Sequence, residues 1–153
     1  MTFEEAIEVL HKNKEQETKK YILKLFDGFI KVLEALKARD LTNEQVKDIE
    51  QKLDELELKA NPDNKKRYFT SKYGEFTKYL EAEYSWVTEG HYMRQGMMYG
   101  MIFGPGIGLT FGTMFGAVWI SIGLSLGVGM GMALGIAFGS LKDNEAKKEG
   151  RVL

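Results

Sequence analysis

The chain lacks the residues on which most catalytic and metal sites are built. It has no cysteine and only two histidines among 153 residues. The absence of cysteine excludes disulfides and thiolate metal sites, and it leaves the redox compartment open. No HExxH motif, no Ser/His/Asp arrangement and no GK[ST] phosphate loop occurs in the sequence. We therefore expect neither an enzyme nor a bound cofactor or metal. The net charge of −1, from 21 basic and 22 acidic residues, also argues against a nucleic-acid partner.

Charge is missing altogether from residues 96–140, where forty-five consecutive residues carry none. The mean hydropathy of the whole chain, −0.28, conceals this division. A membrane span needs about 20 residues to cross about 30 Å of hydrocarbon. The uncharged tract therefore predicts two spans, at roughly 94–116 and 121–141, with a turn around Ala117–Ser121. The N-terminal segment is acidic and lacks an apolar core, so it does not resemble a signal peptide.

The region before this tract has apolar residues at helical spacing and little strand signal, which predicts three helices. Two helix starts have the residues of a capping box, Thr2 with Glu5 and Thr42 with Gln45. The first helix contains the polar stretch "HKNKEQETKK", which is either a solvated helix segment or a flexible joint. The sequence "NPDN" at 61–64 separates the second helix from the third. We expect a small antiparallel bundle or a coiled-coil-like assembly.

Glycine recurs at every fourth position through the uncharged tract. The first series is Gly96, Gly100, Gly104, Gly108, Gly112 and Gly116, and the second is Gly123, Gly127, Gly131, Gly135 and Gly139. Glycine inside a helix costs about 1 kcal/mol relative to alanine in water. In lipid, small residues allow helix backbones to approach and gain van der Waals contact. These series therefore predict helix-packing faces.

The second span has another small face, offset by two positions from its glycines. It consists of Ser121, Ser125, Gly129, Ala133 and Ala137. Two positions correspond to about 200° around a helix, so this face lies opposite the glycine series. A second copy of the chain is its simplest partner, which predicts a homo-oligomer. Dense packing, a lipid or a different protein are the alternatives.

The remaining features of the spans and their edges each have a structural interpretation, and some also have a functional one. Pro105 removes one backbone hydrogen bond from the first span, which predicts a kink there. The kink is either a gating hinge or a tolerated bend. Three polar residues precede the first span, namely Glu89, His91 and Arg94. They either mark the membrane interface or form a proton-sensitive gate. Aromatic residues near the same edge predict an interfacial belt; these are Tyr84, Trp86 and Tyr92.

Basic residues flank the tract on both sides and are absent from the predicted turn. Lys142, Lys147, Lys148 and Arg151 follow the second span, and Lys78 and Arg94 precede the first. By the positive-inside rule, both termini face the cytoplasm. The expected location is the inner (cytoplasmic) membrane.

The tandem glycine series and the charged ending "SLKDNEAKKEGRVL" resemble small bacterial glycine-zipper proteins with two transmembrane helices. The resemblance covers residues 96–153 and implies zipper packing. Similar zippers occur in membrane-inserting bacteriocins and oligomeric pore-forming toxins, which implies an oligomer or a pore. A helical region before an apolar hairpin is also loosely similar to pore-forming colicins, whose hairpins are richer in alanine and leucine.

Together these features predict an all-α protein, a short three-helix soluble domain followed by a transmembrane helical hairpin with glycine-zipper packing. The predicted segments are a cytoplasmic helical domain (1–93), the hairpin (94–141) and a charged cytoplasmic tail (142–153). Predicted partners are the lipid bilayer, other copies of the chain and a cytoplasmic protein at the N-terminal helices. The predicted function is a membrane-anchored structural or interaction assembly. The alternatives are a channel or permeabilising effector, and a secreted toxin that inserts late.

Overall fold

The computed structural model of the protein describes residues 1–60, 62–114 and 117–153, and of residues 117 and 118 only the backbone. These described residues form six helices and no strand, which confirms the all-α prediction. The helices are α1 (Phe3–Glu15), α2 (Lys20–Lys37), α3 (Asn43–Glu55), α4 (Lys65–Tyr84), α5 (His91–Met114) and α6 (Ala117–Lys148). An isolated parallel bridge joins Val87 to Val152. The chain forms two compact units, Met1–Trp86 with Leu153 and Val87–Val152.

The described residues of the first unit form four helices, so the prediction of three was wrong. The polar stretch, which the sequence left as either a solvated helix segment or a flexible joint, contains a break between α1 and α2. There the Glu17 carboxylate accepts the backbone N–H groups of Thr18 and Lys19, at 3.0 and 3.1 Å. Such local side-chain bonds offer the backbone an alternative to the helix. The chain then reverses, and α1 packs against α2.

Both predicted capping boxes are confirmed. The Thr2 hydroxyl accepts the N–H of Glu5, and the Glu5 carboxylate accepts the N–H of Thr2. Thr42 and Gln45 make the same reciprocal pair at the start of α3. Each box satisfies two amide groups that have no partner within the helix.

The core of the first unit is built from aromatic and aliphatic side chains of all four helices. The ring centroids of Phe26 and Phe69 lie 4.9 Å apart in an edge-to-face arrangement, and those of Phe29 and Phe76 lie 5.4 Å apart. The fully buried large side chains are Phe26, Phe29, Phe69, Phe76, Leu10, Leu33, Leu36, Ile49, Leu53, Leu56, Leu58 and Leu80. This apolar interior matches the helical spacing in the sequence, and its burial stabilises the bundle.

The second unit is dominated by α5 and α6, which pack against each other along their length. The predicted turn at Ala117–Ser121 was wrong, because these residues form the first part of α6. The end of α5 and the start of α6 are separated by residues 115 and 116, which lie outside the described residues. Helix α6 continues to Lys148, through most of the segment predicted as a charged tail.

Among the described residues, one helix is long and apolar enough to cross a membrane by length and composition. It is Trp119–Lys148, with 30 residues and a mean hydropathy of 1.8 in its most apolar window. By the same measure α5 is not such a helix. Its glycines, Pro105 and two threonines lower its mean hydropathy. The finding supports one of the two predicted spans.

Candidate helix-packing site

Glycines of α5 lie directly against glycines of α6, in antiparallel register. The facing pairs are Gly96 with Gly135, Gly100 with Gly131, Gly104 with Gly127, and Gly108 with Gly123. At either end of this row, Gly112 faces the backbone of Trp119, and Gly139 faces the backbone of Tyr92. A Cβ atom added at any of these ten glycines would come within 3.0 Å of the opposing backbone. The two backbones therefore meet where any side chain would keep them apart. Gly116 lies outside the described residues.

The two glycines that fall off the four-residue series behave differently. A Cβ atom added at Gly106 or at Gly129 would have no neighbour within 4 Å. The contrast separates positions where glycine is required by close approach from positions where space is available. It also provides matched controls on each helix.

The predicted second small face of α6 is exposed. Its members Ser121, Ser125, Gly129, Ala133 and Ala137 are all exposed, and a Cβ atom added at Gly129 would meet nothing within 4 Å. The Ser125 hydroxyl donates to the carbonyl oxygen of Ser121 in the preceding turn. This face consequently presents a smooth surface on which another helix backbone has room to approach.

Large apolar side chains cover the rest of the pair and are also exposed. Phe103 is 65% exposed, Phe138 is 68% exposed and Met114 is 74% exposed. Other exposed members are Met98, Tyr99, Met101, Ile102, Ile107, Phe111, Trp119, Leu126, Met130, Leu134 and Leu141. A contiguous apolar surface of this kind marks a site of contact with lipid or with another protein.

The N-terminus of α5 is capped by a residue of α6 that sequence reasoning missed. The two carboxylate oxygens of Asp143 accept the backbone N–H groups of Tyr92 and Met93, at 3.0 and 2.9 Å. An anionic acceptor at this position satisfies two amides and interacts favourably with the helix dipole. The only sequence signal was that Asp143 is the first acid after the uncharged tract.

Each of the three predicted edge residues makes a contact in the structure. Glu89 forms an ion pair with Lys147 at 3.8 Å. The Arg94 guanidinium donates to the Thr88 hydroxyl at 2.8 Å. The ring of His91 packs edge-on against Tyr92, with centroids 5.1 Å apart. The exposed ion pair between Glu89 and Lys147 stabilises little, and a proton-sensitive gate stays a prediction.

Pro105 lies inside α5, which continues as one helix on both sides of it. Its neighbours Gly104 and Gly108 are buried against α6. The Thr110 hydroxyl donates to the carbonyl oxygen of Gly106 within the same helix. The kink, and its use as a hinge, stay predictions.

Two aromatic residues of the predicted belt belong to the first unit. Tyr84 stacks on Trp86 with ring centroids 4.7 Å apart, and the Arg39 guanidinium lies 4.9 Å above the Trp86 ring. The hydroxyls of Tyr79 and Tyr84 both donate to one oxygen of Asp48, at 2.5 and 2.6 Å. These two hydrogen bonds, that from Tyr79 first, lower the pKa of the Asp48 carboxyl. Burial and the bond to Asp48 raise the pKa of Tyr79.

Comparisons with known proteins add no relative. No protein-family model, no curated protein and no solved structure matches the chain. In the part of the chain that the structure describes, no group of three or more histidine or carboxylate side chains is placed to hold a metal ion. The resemblance to two-span glycine-zipper proteins stays a prediction from the sequence pattern.

Proposed function

We propose that the chain is an integral membrane protein in which α5 and α6 form a transmembrane hairpin with glycine-zipper packing. The observation that carries the proposal is the row of four facing glycine pairs from Gly96–Gly135 to Gly108–Gly123. In water, an amphipathic pair of helices buries its large apolar side chains. Here the large side chains point outward and the glycines point inward. That inversion suits a lipid solvent, where close backbone packing holds helices together.

The polar ends of the pair support this placement. Asp143, Lys142 and the basic residues that follow lie beyond the uncharged part of α6 and beside the start of α5. The Asp143 carboxylate satisfies backbone amides at the end of a helix, where water or a capping group is needed. By the positive-inside rule, this end faces the cytoplasm together with both termini.

Within this proposal, copies of the chain associate through the second small face of α6. Helices in lipid associate where small residues let their backbones approach. The exposed row from Ser121 to Ala137 has this character, whereas the outer surface of α5 carries bulky side chains. The resulting homo-oligomer is a membrane-anchored assembly, with the N-terminal bundle available to a cytoplasmic protein partner.

Membrane extraction tests the placement directly. The full chain, expressed in bacteria, is expected to remain with membranes after washing with alkaline carbonate and to be released by detergent. Release by carbonate alone would contradict an integral hairpin. Protease digestion of sealed inverted vesicles tests the topology, because both termini should be cleaved only when the cytoplasmic side faces outward.

The oligomer is tested by single cysteine variants, which are clean probes because the chain has no cysteine of its own. Ala133→Cys, on the second small face, is expected to form a disulfide-linked dimer on mild oxidation in the membrane. Met98→Cys, on the outer surface of α5, serves as the control. Equal crosslinking at both positions would indicate random collision and would refute the proposed interface.

A further inference from the structure

We infer that the groove along one side of α5 and α6 holds the acyl chain of an anionic phospholipid, with the lipid phosphate beside Lys142. The inference rests on the proposed membrane placement and adds a specific ligand to it. The groove exists because the glycine rows bring the backbones together while the side chains on either side project outward. Its floor is therefore glycine and its walls are large apolar residues.

The groove is continuous over most of the helix pair. It comprises three successive hollows of 390, 420 and 380 Å³. The first and second share Gly104, Ile107, Gly131 and Leu134 as lining residues. The second and third share Phe111, Gly123 and Leu126. A flexible, slender hydrocarbon chain fits such a channel without requiring the helices to separate.

The walls favour an acyl chain over a second helix as the occupant. Tyr99 and Phe103 of α5 and Leu134 and Phe138 of α6 stand on either side of the glycine floor, each more than half exposed. A helix is about 10 Å wide with its side chains, so these walls hold its backbone away from the floor. Close helix contact needs small residues, which α6 presents on its other face.

The polar end of the groove distinguishes an anionic lipid from a neutral one. Lys142, Gln95 and Tyr92 line the first hollow at the end where the uncharged tract stops. The Lys142 ammonium lies 5.7 Å from the centre of the Tyr92 ring. A neighbouring small hollow joins Lys142 to Tyr92, Glu145 and Arg151, and Arg151 is already paired with Glu149. Among the described residues that line the first hollow, Lys142 is the cation.

The length of the first hollow matches one lipid chain. From Gly96 to Ile107 along α5 is about 16 Å at 1.5 Å per residue. This length is close to half the thickness of the hydrocarbon core of a bilayer, which is about 30 Å. A lipid with its phosphate at Lys142 therefore places its chain end near Ile107, at the middle of the bilayer. The first hollow, between Tyr92 and Ile107, is the part occupied.

Photolabelling tests the inference with the full chain reconstituted in vesicles of phosphatidylcholine and phosphatidylglycerol. The probe is phosphatidylglycerol with a diazirine on its acyl chain, and labelled residues are mapped by mass spectrometry. Phe103, Ile107 and Leu134 are expected to be labelled more than Met98 and Ile102, which are also exposed but lie outside the groove. Even labelling of both sets would overturn the inference.

Two lysine variants test the polar end. Lys142→Gln is expected to reduce groove labelling by the anionic probe about fivefold, the factor equivalent to about 1 kcal/mol for one lysine at an anionic surface. Lys148→Gln removes the same charge from the same helix away from the groove and should have no effect. Labelling by the matching phosphatidylcholine probe should not change in either variant. Equal losses in the two variants would overturn the role of Lys142.

A second copy of the chain in the groove would give a different pattern of disulfide crosslinking. The test uses two cysteine variants at adjacent positions. Leu134→Cys changes a residue of the groove wall, and Ala133→Cys changes a residue of the second small face. Disulfide dimers through Leu134→Cys as abundant as through Ala133→Cys would place a second copy in the groove and overturn the lipid assignment. Release of the chain from these vesicles by alkaline carbonate would overturn the membrane proposal and this inference together. Retention with even labelling would overturn this inference alone.

Discussion

Gly104 and Gly127 face each other so closely that a Cβ atom on either would come within 3.0 Å of the carbonyl oxygen of the other. The contact is reciprocal, and it lies at the centre of the row of facing glycines. Both residues are buried although neither has a side chain. The interface at this point consists of backbone against backbone, so its stability depends on van der Waals contact over a very short distance.

Substitution on α5 should distinguish the packed glycines from the unpacked one. Gly104→Ala is expected to destabilise the α5–α6 pair by about 1–3 kcal/mol, the usual cost of overpacking. Gly106→Ala has open space and should be neutral or slightly stabilising, since alanine favours helix by about 1 kcal/mol over glycine. Thermal unfolding in detergent, followed by circular dichroism, provides the measurement. Equal melting temperatures for the two variants would contradict the close contact.

The two small faces of α6 should be separable by leucine substitution. Gly129→Leu is expected to abolish the homo-oligomer while leaving α5 and α6 packed, because Gly129 points away from α5. Gly127→Leu should disrupt the pair itself, because Gly127 meets the backbone of Gly104. Size-exclusion chromatography with light scattering reports the oligomer, and protease resistance of residues 91–148 reports the pair. If the Gly129→Leu variant kept the oligomer mass of the unmodified protein, the second small face would not be the interface between copies.

Loss of the Asp143 cap should loosen the start of α5. Asp143→Ala leaves the amides of Tyr92 and Met93 without their acceptor, which costs about 0.5–2 kcal/mol for a helix cap. Hydrogen exchange at these two amides should become faster, by a factor of about 2–30, if exchange follows local opening. Asn144→Ala, at the adjacent exposed position, is the control. Unchanged exchange in the Asp143 variant would show that the carboxylate does not hold α5.

The first unit should lose stability in acid through Asp48. The hydrogen bonds from Tyr79 and Tyr84 lower the pKa of Asp48 in the folded state. A lowered folded-state pKa contributes stability above the unfolded pKa, near 3.9, and this stability is lost as pH falls through the folded-state value. Asp48→Asn should therefore flatten the acid limb of stability against pH, as measured by urea unfolding of the full chain. An acid limb identical to that of the unmodified protein would contradict this role.

Solute leakage separates the structural assembly from the pore. In the described part of the helix pair, the hydroxyls of Thr110, Thr113 and Ser125 donate to carbonyl oxygens of their own helices. We therefore expect vesicles that contain the purified chain to retain an encapsulated dye at every protein density tested. A leak that rises with protein density, and that Gly129→Leu removes, would favour the channel alternative.

The periodic features were accessible from the sequence because they are local. The capping boxes at Thr2 and Thr42 depend on residues three positions apart. The glycine series needs only the helical repeat, and the second small face follows from the same repeat. The apolar core of the first unit likewise follows from spacing along each helix.

The features that were missed depend on how separate segments meet. The break between α1 and α2 was one of two interpretations of the polar stretch, and the sequence could not choose because polar residues are compatible with a solvated helix as well as with a joint. The turn was placed at Ala117–Ser121 because the glycine spacing changes there, yet these apolar residues continue as helix. Asp143 caps α5 only because the antiparallel register brings it beside Tyr92, and one helix alone cannot reveal that register.

A perfectly repeated interface has several equivalent alignments. Sliding α5 along α6 by one glycine interval, about 6 Å at 1.5 Å per residue, would again bring glycine against glycine, so the repeat alone does not select a register. The selection comes from the ends, where Asp143 binds the amides of Tyr92 and Met93 and where only two residues separate Met114 from Ala117. The glycines set how closely the helices approach, and these two ends determine which turn of one helix meets which turn of the other.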